Sequence, residues 1–171
     1  MAAIAEPLLN VRQIVRQQFA VLHKMLLDTV RGDRVCRRLM TAPGVGAVVA
    51  LTYRATIDQP QRFVHSRSVG AHVGLTPKRY QSGEVDYDGR VSKCGDALLR
   101  TMLYEAAHSL LIQSRKWSWL KAWGMRVAQR RGIRRAIVAV ARRLAVVLHR
   151  MWVDGSEFRW SKNSASVPAV A

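Results

Sequence analysis

A serine followed by a glycine lies in a segment rich in basic residues, where a hydroxyl group could attack a phosphodiester. Ser82 lies in the run Tyr80-Gln81-Ser82-Gly83, and Gly83 leaves room for a substrate backbone to approach. Attack by a serine requires removal of its proton and neutralisation of the negative charge that develops on the phosphate. Four nearby cations are predicted to bind phosphate: Lys78, Arg79, Arg90 and Lys93.

The general base for such a reaction is not evident from the sequence. Asp86 and Asp88 are close to Ser82 in the chain, but closeness within a loop does not fix a distance. On residue type alone, Ser82 and Ser92 are both compatible with ordinary turn positions. The two serines therefore stay unranked on this reasoning.

A second chemical feature is a long segment without carboxylates, between Glu105 and Asp154. Most of its basic residues are arginines, which suit bidentate contacts to phosphate. They are Arg115, Lys116, Lys121, Arg126, Arg130, Arg131, Arg134, Arg135, Arg142, Arg143 and Arg150. We predict nucleic-acid contacts here, centred on the cluster Arg130, Arg131, Arg134 and Arg135. The interleaved Trp117, Trp119 and Trp123 continue an apolar stripe and are predicted to lie in the core.

A glycine turn between two apolar segments is typical of a helix-hairpin-helix unit. The turn is Pro43-Gly44-Val45-Gly46. In such a unit, glycine lets backbone N–H groups approach a phosphate at a helix N-terminus. We therefore add Gly44 and Gly46 to the candidate nucleic-acid contacts, although the same residues also occur in plain turns.

Composition supports a polyanionic partner. The 171 residues carry 28 Lys and Arg against 11 Asp and Glu, a formal charge of +17, and 49% of them are apolar. This apolar content excludes wholesale disorder, and the charge favours nucleic acid first and an anionic membrane surface second. The start of the chain does not resemble a secretory signal, and the longest apolar run, 45–51, is too short to span a bilayer. We expect a cytoplasmic protein with reduced cysteines and no metal-ligand spacing.

Apolar periodicity predicts a mainly α fold, with a long N-terminal helix followed by a compact helical domain and a central irregular loop. The predicted helices are 8–32, 34–41, 46–57, 63–73 with Ser66 as N-cap, 98–111 with Asp96 near its start, 117–132 and 137–151. The loop spans 75–95, with a short hairpin at Asp88-Gly89. The first helix either pairs with another helix or packs on its own domain. The predicted boundaries are 1–33, 34–160 and a disordered tail, 161–171.

Four runs, in this order and spacing, carry a family resemblance: LMTAPGVGAVVALTYRATID, RF-x-x-S-R, VGAHVGLTPKRYQSGEVD and GRVSKCGDALLRTMLYEAA. Together they resemble the C-terminal transposase domain of the one-ten class of insertion-sequence transposases, which are related to the pilin-gene invertase Piv. The resemblance runs from about residue 34 to residue 160. The helix upstream is similar to the helical region that precedes this domain in the family.

The resemblance implies a mechanism and partners. The serine of the family's Y-x-S-G motif falls on Ser82, which becomes the expected nucleophile that forms a phosphoserine link to DNA. Ser92 falls on the S-K-x-G position and is expected to be structural or phosphate-binding. The family also implies a structured guide RNA, a homo-oligomer assembled on DNA, and an N-terminal RuvC-like domain whose four acidic residues bind magnesium.

One departure from the family concerns that acidic domain, for which there is no room before residue 34. We expect no cofactor in this chain and magnesium in the missing domain, so the chain is a truncated copy, a frameshift fragment or one half of a split protein. The predicted function is that of the DNA-binding C-terminal part of an insertion-sequence transposase, located in the bacterial cytoplasm at the nucleoid. The alternative is a non-catalytic nucleic-acid-binding remnant. A membrane-bound basic protein is disfavoured, because the apolar helix faces are better explained as a core.

Overall fold

The computed structural model describes residues 2–82 and 84–161, and in this part the chain forms seven α-helices and one two-stranded antiparallel sheet. The elements are α1 (Ala2–Gly32), α2 (Arg34–Leu39), α3 (Ala47–Ile57), α4 (Arg67–His72), β1 (Pro77–Ser82), β2 (Val85–Val91), α5 (Ala97–His108), α6 (Trp119–Arg131) and α7 (Ile133–Val153). A 3₁₀ turn, Pro60–Arg62, precedes α4, and a π-helical turn, Ser109–Gln113, extends α5. The mainly α prediction is confirmed.

Helix α7 is the centre of the domain and packs against α5, α6, α4 and α2. Its buried side recurs every three or four residues, as the apolar pattern predicts. That side consists of Ala136, Ile137, Val140, Ala141, Leu144, Ala145, Leu148, His149 and Met151. Tyr53 of α3 donates a hydrogen bond from its hydroxyl to the Ala145 carbonyl, 2.8 Å away, and burial raises the pKa of Tyr53. The long last helix therefore provides the surface on which the other helices assemble.

Several helix starts are capped by side chains that accept backbone hydrogen bonds. Asp33 caps α2 by accepting from Val35 N at 2.6 Å, and Asp96 caps α5 by accepting from Leu99 N at 2.5 Å. The prediction for Asp96 is confirmed. Ser66 stands at the start of α4 as predicted, but its hydroxyl does not cap the helix.

Helix α1 leaves the domain at its C-terminal end. Val30 is buried and Leu26 half-buried against α2 and α3, whereas every residue from 5 to 25 is exposed. The exposed residues include a row of large apolar side chains: Leu8, Leu9, Val11, Ile14, Val15, Phe19, Val21, Leu22 and Met25. Packing of the first helix on its own domain is thus limited to its last turns.

The central segment contains a β-hairpin, but its turn is not where the sequence suggested. Tyr80 pairs with Tyr87 and Ser82 with Val85, so the chain reverses between Ser82 and Val85, while Gly89 lies inside β2. The prediction of a turn at Asp88-Gly89 is wrong. Gly89 instead leaves space for the Tyr80 ring, since a Cβ at residue 89 would lie 2.7 Å from Tyr80 Cε2.

The remaining predictions about the ends of the chain have mixed outcomes. No helix in the part of the chain that the structure describes is long and apolar enough to cross a membrane. The predicted disordered tail lies outside the described residues from position 162 onwards, and so does Gly83. The proposed domain boundaries stay a prediction.

Candidate nucleic-acid interface

Ser82 is the last residue of a strand that is exposed along its whole length. Side chains two residues apart share one face of a strand, so Ser82 shares its face with Tyr80. Tyr80 stacks on its cross-strand partner Tyr87, with ring centroids 5.1 Å apart and an interplanar angle of 19°. Both tyrosines are about half exposed. The predicted nucleophile is therefore solvent-accessible and has an aromatic pair beside it.

The opposite face of the hairpin carries an ion pair. Arg79 donates from Nε to Asp86 Oδ1 at 2.9 Å and from Nη2 to Oδ2 at 2.5 Å. These hydrogen bonds lower the pKa of Asp86. Asp86 is thus ionised and fixed in place by Arg79, and its negative charge compensates part of the positive charge of the guanidinium. The other predicted cations of the hairpin, Lys78 and Arg90, are exposed.

The base of the hairpin is fixed by backbone hydrogen bonds. Ser92 N donates to Thr76 O at 2.8 Å, and Lys93 N donates to Gly74 O at 3.1 Å. Lys93 has a positive φ of 55°, and its side chain is exposed. These two hydrogen bonds join the segment before β1 to the segment after β2 and so fix the base of the hairpin.

Helix α5 completes this anchor. Arg100 Nη1 donates to the carbonyls of Val73, at 3.2 Å, and Lys93, at 3.0 Å. Gly74 has a φ of +73° and Gly95 a φ of +99°, and at either residue a Cβ would overlap backbone atoms of the opposite segment. In the Ser-Lys-x-Gly-Asp run, packing thus explains Gly95 and capping explains Asp96, while the role expected for Ser92 stays a prediction.

The two glycines of the predicted phosphate-binding turn have different surroundings. Gly44 has a φ of +81° and packs against α5, where a Cβ would overlap the Ala106 carbonyl oxygen and lie 3.1 Å from Leu110 N. Gly46 is exposed at the N-terminus of α3 and has no atom within 4 Å of the position of a Cβ. Gly44 thus has a packing role, while Gly46 is exposed at the start of α3.

A groove of about 640 Å³ runs along the outer side of α7, between α6 and the base of the hairpin. Its charged lining consists of arginines only: Arg67, Arg131, Arg135, Arg142, Arg143 and Arg150. Trp119 and Trp123 form its aromatic wall, and Pro77 and Val91 belong to the hairpin side. The groove therefore connects the arginine-rich helices to the base of the hairpin that carries Ser82.

The structure divides the predicted arginine cluster. Arg131 and Arg135 line the groove, whereas Arg130 and Arg134 are exposed outside its lining. Arg142, Arg143 and Arg150 lie in the basic segment predicted to contact nucleic acid but outside the cluster on which that prediction was centred, and Arg67 was not predicted. A signal for three of them existed, because positions 135, 142, 143 and 150 recur at helical spacing on one side of α7. Arg67 comes from α4 and could be found only from the fold.

The tryptophans also differ from one another. Trp119 and Trp123 are half-buried against the core, in line with the prediction. Trp117 is 62% exposed, so its placement in the core was wrong. It precedes α6 and therefore does not share that helix's apolar stripe.

A buried polar network joins α7 to the segment before α4. His149 Nε2 is 2.9 Å from the Pro60 carbonyl oxygen, and its Nδ1 is 2.9 Å from Ser66 Oγ. A carbonyl only accepts, so Nε2 carries a proton, and in the neutral ring Nδ1 accepts from the Ser66 hydroxyl. Phe63 packs edge-on against the His149 ring. This network explains why Ser66 does not cap α4.

The described residues contain no group of three or more His, Cys, Asp or Glu side chains that could hold a metal ion. The two cysteines are separate free thiols. Cys36 is buried and Cys94 is exposed. Burial, with the nearby Asp33 carboxylate, raises the pKa of Cys36 to about 11.

Comparison with known proteins identifies the chain's relatives. The sequence model described as "Transposase IS116/IS110/IS902 family" matches residues 36–123. The transposase for insertion sequence element IS1111A of Coxiella burnetii is 36% identical over 128 residues, which cover 72% of this chain and 34% of the relative. The transposase for IS1328 of Yersinia enterocolitica is 30% identical over 91 residues, which cover 53% of this chain and 27% of the relative. The matched part of the chain spans about a quarter to a third of the length of these relatives. It belongs to the IS116/IS110/IS902 family of transposases.

Proposed function

We propose that the chain is the DNA-binding C-terminal part of an insertion-sequence transposase, in which Ser82 attacks a DNA phosphodiester during recombination. The observation that carries this proposal is the position of Ser82: it is exposed at the end of β1, on a hairpin whose base is held to the domain and borders an arginine-lined groove. Such an arrangement supports delivery of a hydroxyl to DNA that the basic surface holds.

In the proposed step, Ser82 Oγ forms a bond to the scissile phosphorus and one P–O bond of the DNA strand breaks. The hydroxyl proton leaves to a base, and the departing sugar oxygen takes up a proton. Asp86, which Arg79 binds, is a poor candidate for that base. In this account, an acidic domain of the kind implied by the family resemblance supplies magnesium to stabilise the phosphate charge.

DNA binding would rest on two surfaces of this chain. The exposed N-terminus of α3 at Gly46, which follows the turn of a helix-hairpin-helix-like unit, presents backbone N–H groups that favour a phosphate. The arginine-lined groove adds cations that neutralise further phosphates. We place this activity at the bacterial nucleoid and include a structured guide RNA among the partners, as the resemblance implies.

Assembly on DNA would use α1. The exposed apolar row between Leu8 and Met25 covers about five helical turns. Pairing with α1 of a second copy would remove this row from water. Ile14→Glu combined with Leu22→Glu is expected to shift sedimentation towards the monomer, while the exposed polar change Gln13→Glu leaves the distribution unchanged. A single monomeric species of the wild-type chain would contradict this part of the proposal.

A second candidate function is nucleic-acid binding without catalysis. The observation that favours it concerns the proton acceptor: Arg79 holds Asp86 on the face of the hairpin opposite Ser82, so this carboxylate does not take the serine proton. This candidate predicts salt-dependent binding of nucleic acid and no covalent product.

The test combines the full chain with a separately expressed acidic domain from a relative, its guide RNA, magnesium and a labelled target DNA. Ser82→Ala is expected to abolish strand transfer and leave DNA affinity within about twofold of wild type. Ser92→Ala is the matched control and is expected to retain transfer. Strand transfer by Ser82→Ala would contradict the assignment of the nucleophile. Salt-sensitive binding without transfer by the wild-type chain would favour the second candidate.

A further inference from the structure

The aromatic wall of the arginine-lined groove holds one guanidinium against two indole rings. Arg143 Cζ lies 4.5 Å from the Trp123 ring centroid and 5.2 Å from that of Trp119. Partial burial lowers the pKa of Arg143, although a guanidinium stays charged. Arg143 is therefore held by cation–π contacts in the groove, which fix the guanidinium without neutralising its charge.

The groove has a charge that its own lining does not compensate. Within the described part of the chain, the ion pairs are made by Asp28, Asp33 and Asp86, and none of them involves an arginine of the groove. From Arg135 to Arg150 the cations extend about 22 Å along α7, at 1.5 Å per residue. This length suits several consecutive phosphates of one strand.

The excess of positive charge ends at one end of the groove. A second cavity of about 340 Å³ shares Trp119, Val147 and Arg150 with it, and its other charged lining residues are Asp154, Glu157 and Arg159. There the two carboxylates offset the two arginines, so the uncompensated positive charge that attracts a phosphate chain ends near Arg150. The arginine-lined groove is thus a site whose basic surface ends near Arg150.

We propose that this groove binds an unpaired nucleic-acid strand, with a base stacked on the Arg143 guanidinium and phosphates on Arg135 and Arg142. The inference deepens the proposed function, on which it rests, by naming the form of nucleic acid that this surface takes. Bases of a duplex are stacked on one another and present only their edges. A planar cation backed by indole rings inside a concave basic groove offers a face, which an unpaired base can cover.

The experiment measures fluorescence anisotropy of the full chain with labelled 12-nucleotide single-stranded DNA, single-stranded RNA of the same sequence, and the matching DNA duplex. The wild-type chain is expected to bind the single strands about tenfold more tightly than the duplex at equal salt. Arg143→Lys keeps the positive charge but removes the planar guanidinium on which a base would stack. It is therefore expected to weaken single-strand binding about tenfold and duplex binding less than threefold. Arg37→Lys, an exposed position on α2 outside the groove lining, is the control and is expected to change neither.

The outcomes separate this inference from the function on which it rests. Duplex binding that equals or exceeds single-strand binding in the wild-type chain overturns the inference and leaves DNA binding intact. Equal single-strand affinities of Arg143→Lys and wild type also overturn it. Absence of binding to all three probes overturns the proposed function as well. Tighter binding of RNA than DNA supports the inference and assigns the strand to RNA through its 2′-hydroxyls, whereas equal affinities support recognition of base and phosphate alone.

The wild-type comparison keeps the test independent of any variant's fold. A melting curve for each variant shows whether Arg143→Lys retains the native domain. A second measurement follows the indole fluorescence of the wild-type chain, which is expected to change on saturation with a single strand and not with the duplex. An equal fluorescence change with both forms contradicts base stacking in this groove.

Discussion

Replacing Gly44 by alanine distinguishes a glycine required for packing from a glycine required for phosphate contact. At a φ of +81°, an L-residue costs roughly 1–2 kcal/mol. The new Cβ would also overlap the Ala106 carbonyl of α5, and forced shifts of this kind cost roughly 1–3 kcal/mol. Together these effects lower the free energy of unfolding by about 2–5 kcal/mol, which for a chain of this size lowers Tm by roughly 5–20 °C.

Gly46→Ala is the matched control, because it lies two residues away with open space around it and an ordinary negative φ of −95°. Its cost is expected to stay below about 1 kcal/mol, the scale of a weaker N-cap. Thermal melts followed by circular dichroism measure both variants. A Gly44→Ala variant that melts with the wild type, or that loses DNA affinity without losing stability, would refute the packing role.

Three further predictions concern single groups. His149→Ala leaves the buried Pro60 carbonyl and the half-buried Ser66 hydroxyl without their hydrogen-bond partner and is expected to cost about 2–4 kcal/mol in urea unfolding; an unchanged midpoint would count against the network. With Ellman's reagent at pH 8, Cys94 should react at once and Cys36 only in denaturant, because the pKa of Cys36 is about 11; equal rates would contradict its burial. In an NMR titration, Arg79→Met should raise the pKa of Asp86 towards its ordinary value. In the wild type the ion pair is fully formed at pH values above the ordinary pKa of an aspartate, and it is lost as the pH falls through the lowered pKa of Asp86. If Asp86 has the same pKa in the variant as in the wild type, Arg79 is not the cause of the lowering.

Much of the helical framework was predictable from local pattern. The apolar stripe of α7, the cap at Asp96 and the stop at Gly132 each depend on residues within one or two turns, so sequence spacing predicts them. The hairpin turn was not predictable in this way. Asp88-Gly89 has residue types that are typical of a turn. Gly89 instead leaves space for the ring of Tyr80 on the neighbouring strand, and a contact between strands is not visible in the local sequence.

The candidate site shows the same division between local and long-range effects. Arginine content along α6 and α7 indicated a basic surface, but only the packing of α4 against α7 adds Arg67 to the groove. Arg130, on α6, lies outside the groove lining, and the arginine content did not distinguish it from Arg131. Likewise, Gly44 has the sequence of a phosphate-binding turn, and its contact with α5 is visible only in the fold. The pairing of Ser66 with His149 joins residues 83 positions apart, and no local pattern predicts it.

The most direct test of the central claim is to map the covalent product of the reconstituted reaction. Cleavage after Arg79 and Arg90 releases a peptide of residues 80–90. Ser82 is the one serine in this peptide, and its other hydroxyl side chains are those of Tyr80 and Tyr87. Mass spectrometry of the nuclease-trimmed product is predicted to find the nucleotide on this peptide and, by fragmentation, on Ser82. An adduct on either tyrosine or on a peptide elsewhere in the chain would contradict the account.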